Sequence, residues 1–216
     1  MSSKYAVIFD MDGVLVDSEN YFFKLNVRFV KDRGKAVVEK DLHKLVGMQM
    51  QGIYETLYEY FKGEMSFEQF KADYDTFCKI HEPDYSTILN PGVIKTLETL
   101  YDRGFKIGLA SSCDMHNIQK VLSQCNLLKY FTVIVSGDEF VVSKPNPQIY
   151  FSTANRLGIE PKYCFVVEDS VYGIEAGKRA GMTVFACKQP FGHDQSRADY
   201  IVDCIDEIID IIDRKI

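Results

Sequence analysis

The sequence predicts an α/β fold, an open parallel sheet interrupted once by a helical insertion. Three observations carry that expectation. Short, unbroken apolar runs recur along the chain, and several stop abruptly at an acidic or hydroxyl residue. Amphipathic stretches closed by glycine separate these runs. Residues 17–90 break the alternation with helical periodicity and almost no strand-like run. A strand buried on both faces reads as a continuous apolar run, not as an alternating one.

The first run, Tyr5 to Phe9 (YAVIF), ends at Asp10. Four more follow: Lys106 to Ala110 (KIGLA), Thr132 to Val135 (TVIV), Cys164 to Val167 (CFVV) and Thr183 to Ala186 (TVFA). From Pro91 to Arg103, Val93, Leu97 and Leu100 share one helical face, and Gly104 supplies the stop. Met115 to Cys125, Pro147 to Leu157 and Val171 to Ala180 behave alike, the last two closed by Gly158 and Gly181. Pro147 sits where proline starts a helix comfortably. A short strand at Tyr200 to Val202 and a helix from Cys204 to Lys215 complete the series. Strands alternating with helices of this length imply right-handed βαβ units, hence a Rossmann-like open parallel core.

Within the insertion, helices are expected over Tyr21 to Gly34, Ile53 to Phe61 and Phe67 to Ile80. Apolar residues recur there at three- and four-residue spacing, as in Phe22, Leu25, Phe29 and Phe67, Phe70, Tyr74, Phe77. These rings read as the insertion's own core rather than as a substrate platform. The chain re-enters the sheet at Asn90-Pro91-Gly92. Residues 1–16 and 91–216 are therefore expected to form the α/β core, and 17–90 an inserted α-helical domain.

At 216 residues, 46% hydrophobic and 26% charged, the chain can bury a core without staples. A net charge of −6 disfavours a nucleic-acid partner. No apolar run reaches the roughly 18 residues of a membrane span. The start, MSSKYAVIFD, meets an acidic residue too early for a signal peptide. Six scattered cysteines without a C-x-x-C pair read as reduced thiols in a cytoplasmic protein. The four histidines lack zinc-ligand spacing. A monomer is expected.

In an open parallel sheet, ligands gather beyond the carboxyl ends of the strands. Those ends carry Asp10-Met11-Asp12-Gly13, Ser111-Ser112 and Glu168-Asp169, while Lys144 follows the third strand in SKPNP. Four carboxylates on one rim repel by about 4 kcal/mol per pair at a separation near 4 Å. A hard divalent cation with oxygen ligands would neutralise them, and magnesium commonly bridges carboxylate and phosphate. Taken alone, Asp10 and Asp12 could be a strand-ending turn, Ser111 or Ser112 a helix cap alongside Asp114, and Lys144 a solvated loop charge.

DMDGVLVDS, LASS, SKPNPQIY and VVEDSVYG, in that order, resemble the four signature motifs of the haloacid dehalogenase superfamily of phosphotransferases. The insertion resembles the cap of the subgroup containing beta-phosphoglucomutase and small sugar-phosphate phosphatases. The resemblance implies that Asp10 attacks phosphorus and that Asp12 serves as general acid and then base. It implies phosphate contacts from Gly13, Ser111, Ser112 and Lys144. Magnesium would lie on Asp10, the Asp12 carbonyl and Asp169, with Glu168 direct or through water. Ser18, Asn20, Gly47, Met48 and Gln49 are the candidate specificity residues of the cap.

Against beta-phosphoglucomutase, Phe22 stands in place of a histidine, and Val46 and Met50 in place of a lysine and an arginine. Those basic groups would grip a second phosphate, so their loss favours hydrolysis of a small phosphorylated metabolite over mutase action. A dehalogenase of this fold should lack Asp12, and a phospho-receiver domain places its aspartate after the third strand. The alternatives carried forward are a phosphomutase and a non-catalytic phosphate- or metal-dependent signalling protein. The latter would be expected to lose a motif, and none is lost.

Overall fold

The computed structural model describes residues 4–216. Six strands, β1 (Ala6–Phe9), β2 (Lys106–Ser111), β3 (Val133–Ser136), β4 (Cys164–Glu168), β5 (Thr183–Cys187) and β6 (Tyr200–Val202), form one parallel sheet in the order β3-β2-β1-β4-β5-β6. Among the described residues eight α-helices accompany them: α1 (Ser18–Asp32), α2 (Met50–Tyr58), α3 (Phe67–Ile80), α4 (Val93–Asp102), α5 (Met115–Gln124), α6 (Gln148–Leu157), α7 (Val171–Arg179) and α8 (Glu207–Asp213). The expected α/β class and Rossmann-like order are present.

The strands explain their own composition. Val7 and Phe9 join one apolar layer with Ile107, Leu109, Phe165 and Val167, backed by residues of α4, α5 and α8. Ala6 and Ile8 join the other, with Val166, Val184 and residues of α6 and α7. Both faces are dry, so successive residues are all apolar.

β2, β3, β4 and β5 each run one residue beyond the apolar run. Ser111 pairs with Ser136 and Glu168 with Ala186, so polar strand ends stay in the ladder. α8 is shorter than the expected span from Cys204, whose N–H donates instead to the Glu207 side chain at 2.8 Å. Among the described residues no helix is long and apolar enough to cross a membrane.

The chain divides into two compact units. One runs up to Asp17 and resumes as Tyr85–Ile216; the other is Ser18–Asp84. Asp17 and residues 85–90, expected in the insertion, therefore lie with the sheet. The outgoing and returning segments are zipped together: Val16 bridges Leu89, the Asp17 N–H donates to Ile88 O and the Asn90 N–H to Leu15 O.

The Ser18–Asp84 unit is helical throughout its regular structure, with a 3₁₀ segment at Glu39–Leu45 that has no helical periodicity to announce it. Phe29 lies at its centre, with ring centroids of Phe61, Phe70, Tyr74 and Phe77 at 5.0–5.8 Å. Ser66 and Gln69 form a reciprocal capping box that starts α3.

Candidate active site

Parallel pairing aligns Phe9 with both Leu109 and Val167. The next residues, Asp10, Ala110 and Glu168, therefore come side by side where β1 meets its neighbours. This is the switch point of the sheet, with β2 and β3 on one side of β1 and β4 to β6 on the other.

Lys144 reaches into that point from the loop before α6, its side chain only 7% exposed. Its ammonium donates to Asp10 Oδ1 at 2.6 Å, to Glu168 Oε1 at 2.7 Å and to the Ala110 carbonyl at 3.0 Å. Those three acceptors match its three protons. The solvated-loop reading of Lys144 does not describe this geometry.

The two carboxyls beside it are treated differently. Glu168 Oε1 also accepts from the buried Tyr150 hydroxyl at 2.5 Å. Glu168 Oε2 accepts from the Asp169 N–H, the Ser170 N–H and the Ser170 hydroxyl at 3.1–3.3 Å. Burial works against its charge, but Lys144 and these donors prevail and hold it below the usual glutamate range.

Asp10 has less help. Burial, reinforced by Glu168 and Asp12 and offset only in part by Lys144, pushes its carboxyl from 3.8 up to about 8. For Lys144 burial is again the largest influence and favours loss of the proton, yet Asp10 and Glu168 outweigh it and keep the ammonium charged.

Asp169 faces the turn after β1. Gly13 has φ +72°, and a Cβ on it would lie 2.0 Å from Asp169 Oδ2, so backbone conformation and space both require glycine. Gly173, in the first turn of α7, is close to Glu168 in the same way, since a Cβ there would fall 1.9 Å from Oε1.

Three carboxamides brace these turns. The Gly13 carbonyl accepts from Asn90 Nδ2 at 3.2 Å and Gln189 Nε2 at 2.9 Å. Gln195 Nε2 donates to the Asp169 carbonyl at 2.6 Å and to Cys187 O at 2.7 Å. Neither these amides nor Tyr150 belong to the expected site. Tyr150 lies inside SKPNPQIY, six residues after Lys144, and that position is the signal that could have found it.

Oxygens of Asp10, Glu168 and Asp169 lie within 4.8 Å of one another. Three neighbouring carboxyls with hard oxygen donors, two of them held by Lys144 and one of those poorly compensated, fit a divalent cation. Ser111 is fully buried, and its Oγ accepts from the Cys113 N–H at 3.1 Å. Ser112 is exposed. Helix α5 is capped by Asp114, which accepts from the Asn117 N–H, so neither serine is needed as the cap. Asp12 is half-buried, with Oδ2 3.0 Å from Cys113 Sγ.

The cap candidates belong to the helical unit. Ser18 opens α1 and is buried, Asn20 is half-buried, and Gly47, Met48 and Gln49 form an exposed turn before α2. Glu19, outside the expected set, ties the two groups together by accepting from the Gly47 N–H at 3.2 Å.

Residues 7–187 match the family model of haloacid dehalogenase-like hydrolases. The chain is 37% identical over 183 residues to a phosphorylated carbohydrates phosphatase of Thermotoga maritima, an alignment covering 82% of each chain. It is 28% identical over 193 residues to hexitol phosphatase B of Escherichia coli K12, covering 89% of this chain and 87% of the relative. In three dimensions it resembles a Thermotoga maritima protein provisionally assigned as a beta-phosphoglucomutase, with TM-score 0.82, 31% identity, and 98% of this chain and 100% of that one covered. With the strand-end acids, the buried lysine and a match across most of its length, the chain belongs to the haloacid dehalogenase-like hydrolases and is an enzyme of that family.

Proposed function

We propose that the protein is a magnesium-dependent phosphatase that hydrolyses a small phosphomonoester, a sugar or sugar-alcohol phosphate, through an aspartyl-phosphate on Asp10. The observation that carries the reading is the buried Asp10 carboxyl held by Lys144 beside Asp169. A carboxylate can approach a dianionic ester only where cations mask the repulsion between them.

Asp10 and Asp169 would hold the magnesium together with the Asp12 backbone carbonyl. Glu168, engaged by Lys144, Tyr150 and the 169–170 backbone, would act directly or through water. The ion supplies the positive charge that lets acid and ester meet. Asp10 then forms a bond to phosphorus as the ester P–O bond breaks, and Asp12 gives its proton to the departing alcohol oxygen. Water attacks the aspartyl-phosphate with Asp12 taking its proton, which returns Asp10 and releases phosphate. Lys144 holds the attacking carboxyl in place and balances the charge gathering on the phosphoryl group. Ser111, with Gly13 and Ser112, would contact its non-bridging oxygens.

Hydrolysis is preferred to phosphomutase action because Phe22, Val46 and Met50 offer no charge to hold a bisphosphate. The relatives named as phosphatases of phosphorylated carbohydrates and hexitols support the same substrate class. Cysteines left unpaired, Cys78 and Cys113 among them, suit the cytoplasm. Ser18, Asn20, Gly47, Met48 and Gln49 would read the substrate's hydroxyls.

A panel of phosphorylated metabolites assayed for phosphate release tests the proposal. Hexose and hexitol monophosphates should be hydrolysed with magnesium and left intact in chelator. Conversion of β-glucose 1-phosphate to glucose 6-phosphate faster than phosphate release would make the enzyme a mutase.

A further inference from the structure

Cys113 follows the Ser111-Ser112 strand end, and its Sγ lies 3.0 Å from Oδ2 of Asp12, 101 positions earlier in the chain. Its backbone is fixed on both sides. The N–H donates to Ser111 Oγ at 3.1 Å, and the carbonyl accepts from Ser136 Oγ at 2.8 Å and the Gly137 N–H at 3.2 Å. Gly137 passes so close that a Cβ on it would fall 2.4 Å from the Ser112 carbonyl oxygen. The rest of the side chain packs against the apolar layer that holds Phe9 and Leu109.

We propose that Cys113 is a positioning residue for Asp12, its S–H donating to Oδ2 and aiming the carboxyl at the leaving oxygen of a phosphomonoester. This rests on the reading of Asp12 as the acid–base group. A thiol is a neutral, weak donor. A lysine or arginine at this place would bias Asp12 toward its charged form; a thiol orients it and adds no charge.

The chemistry supplies a selective readout. As the Asp10–phosphorus bond forms, the ester P–O bond breaks and its electron pair leaves on the alcohol oxygen, which takes the proton from Asp12. A poor leaving group such as an alkoxide needs that proton in the transition state. An acidic phenol leaves without it.

The experiment compares kcat/KM for an alkyl phosphomonoester and for 4-nitrophenyl phosphate, with magnesium, in wild type, Cys113→Ala, Cys113→Val, Cys113→Ser and Asp12→Asn. Alanine and valine remove the donor with and without a void, so a folding defect in one leaves the other informative. Both should lose about tenfold on the alkyl ester and less than about threefold on the aryl ester, a fraction of what general acid catalysis supplies. Serine should recover most of the alkyl rate. Equal losses on both substrates, no loss on either, or serine behaving as alanine would overturn the role of Cys113. Retention of the alkyl rate by Asp12→Asn would overturn instead the acid–base reading on which it rests.

Discussion

In the helical unit the buried centre is a set of rings, Phe29 enclosed by Phe61, Phe70, Tyr74 and Phe77. At the strand ends of the α/β unit the buried side chains are ionisable: Asp10 and Glu168 on Lys144, with Asp169 beside the two acids. The first arrangement gains stability from every contact, since rings lose little on leaving water. The second places ionisable groups where desolvation opposes charge, and Lys144 compensates Glu168 better than Asp10. One region is packed for stability; the other retains an electrostatic debt that a cation and a phosphate can settle.

Asp10→Asn is the sharpest way to break that contrast. Turnover should fall by at least about a thousandfold, as the loss of a nucleophile does. The metal-free variant should nevertheless melt above wild type at pH 8. Folded Asp10 keeps its proton up to about 8, whereas its ordinary value is 3.8. Between these values the native state holds a proton that the unfolded chain has released, so wild-type stability falls as pH rises through the window. Glu168, held low, acts in the opposite sense and only on the acid side of its ordinary 4.5. Thermal melts in chelator across this range should slope downward for wild type and flatten for the variant. A flat wild-type profile would mean that Asp10 is fully compensated.

Phe29→Ala tests the other half. Removing a fully buried ring should cost about 3–5 kcal/mol, read by denaturant unfolding, because the surrounding rings cannot collapse into the space. In the folded fraction, stabilisation by added magnesium should match wild type. A loss of magnesium response with little loss of stability would reverse the roles assigned to the two regions.

How much of this was legible before the structure follows from the same contrast. Asp10 and Glu168-Asp169 were visible because apolar runs stop at them, and the aromatic centre because its rings recur at helical spacing. Lys144 was legible only through the resemblance carried by SKPNP, since a loop lysine by itself reads as solvated. Tyr150, Asn90, Gln189, Gln195 and Cys113 act through contacts between distant segments; Gln189 and Gly13 are 176 positions apart. No local periodicity records such a contact. The return of residues 85–90 to the sheet is made by one bridge, Val16 with Leu89, and the backbone hydrogen bonds flanking it, too short a pairing to leave a pattern.

The smallest expected effect comes from an ion pair in the helical unit. Arg33 grips Asp73 through two hydrogen bonds at 2.6 and 2.7 Å, a geometry as good as that of Lys144. The Asp73 side chain is 41% exposed, however, so water already solvates much of its charge. Asp73→Asn should therefore lower stability by less than about 1 kcal/mol, and less still in high salt. Arg33 keeps its place over the Phe29 ring, 3.6 Å from the centroid, whether or not Asp73 is charged. Phosphatase activity should be unchanged. A loss of several kcal/mol, measured by denaturant unfolding in low and high salt, would show that the helical unit also depends on charge and that burial alone does not separate the two regions.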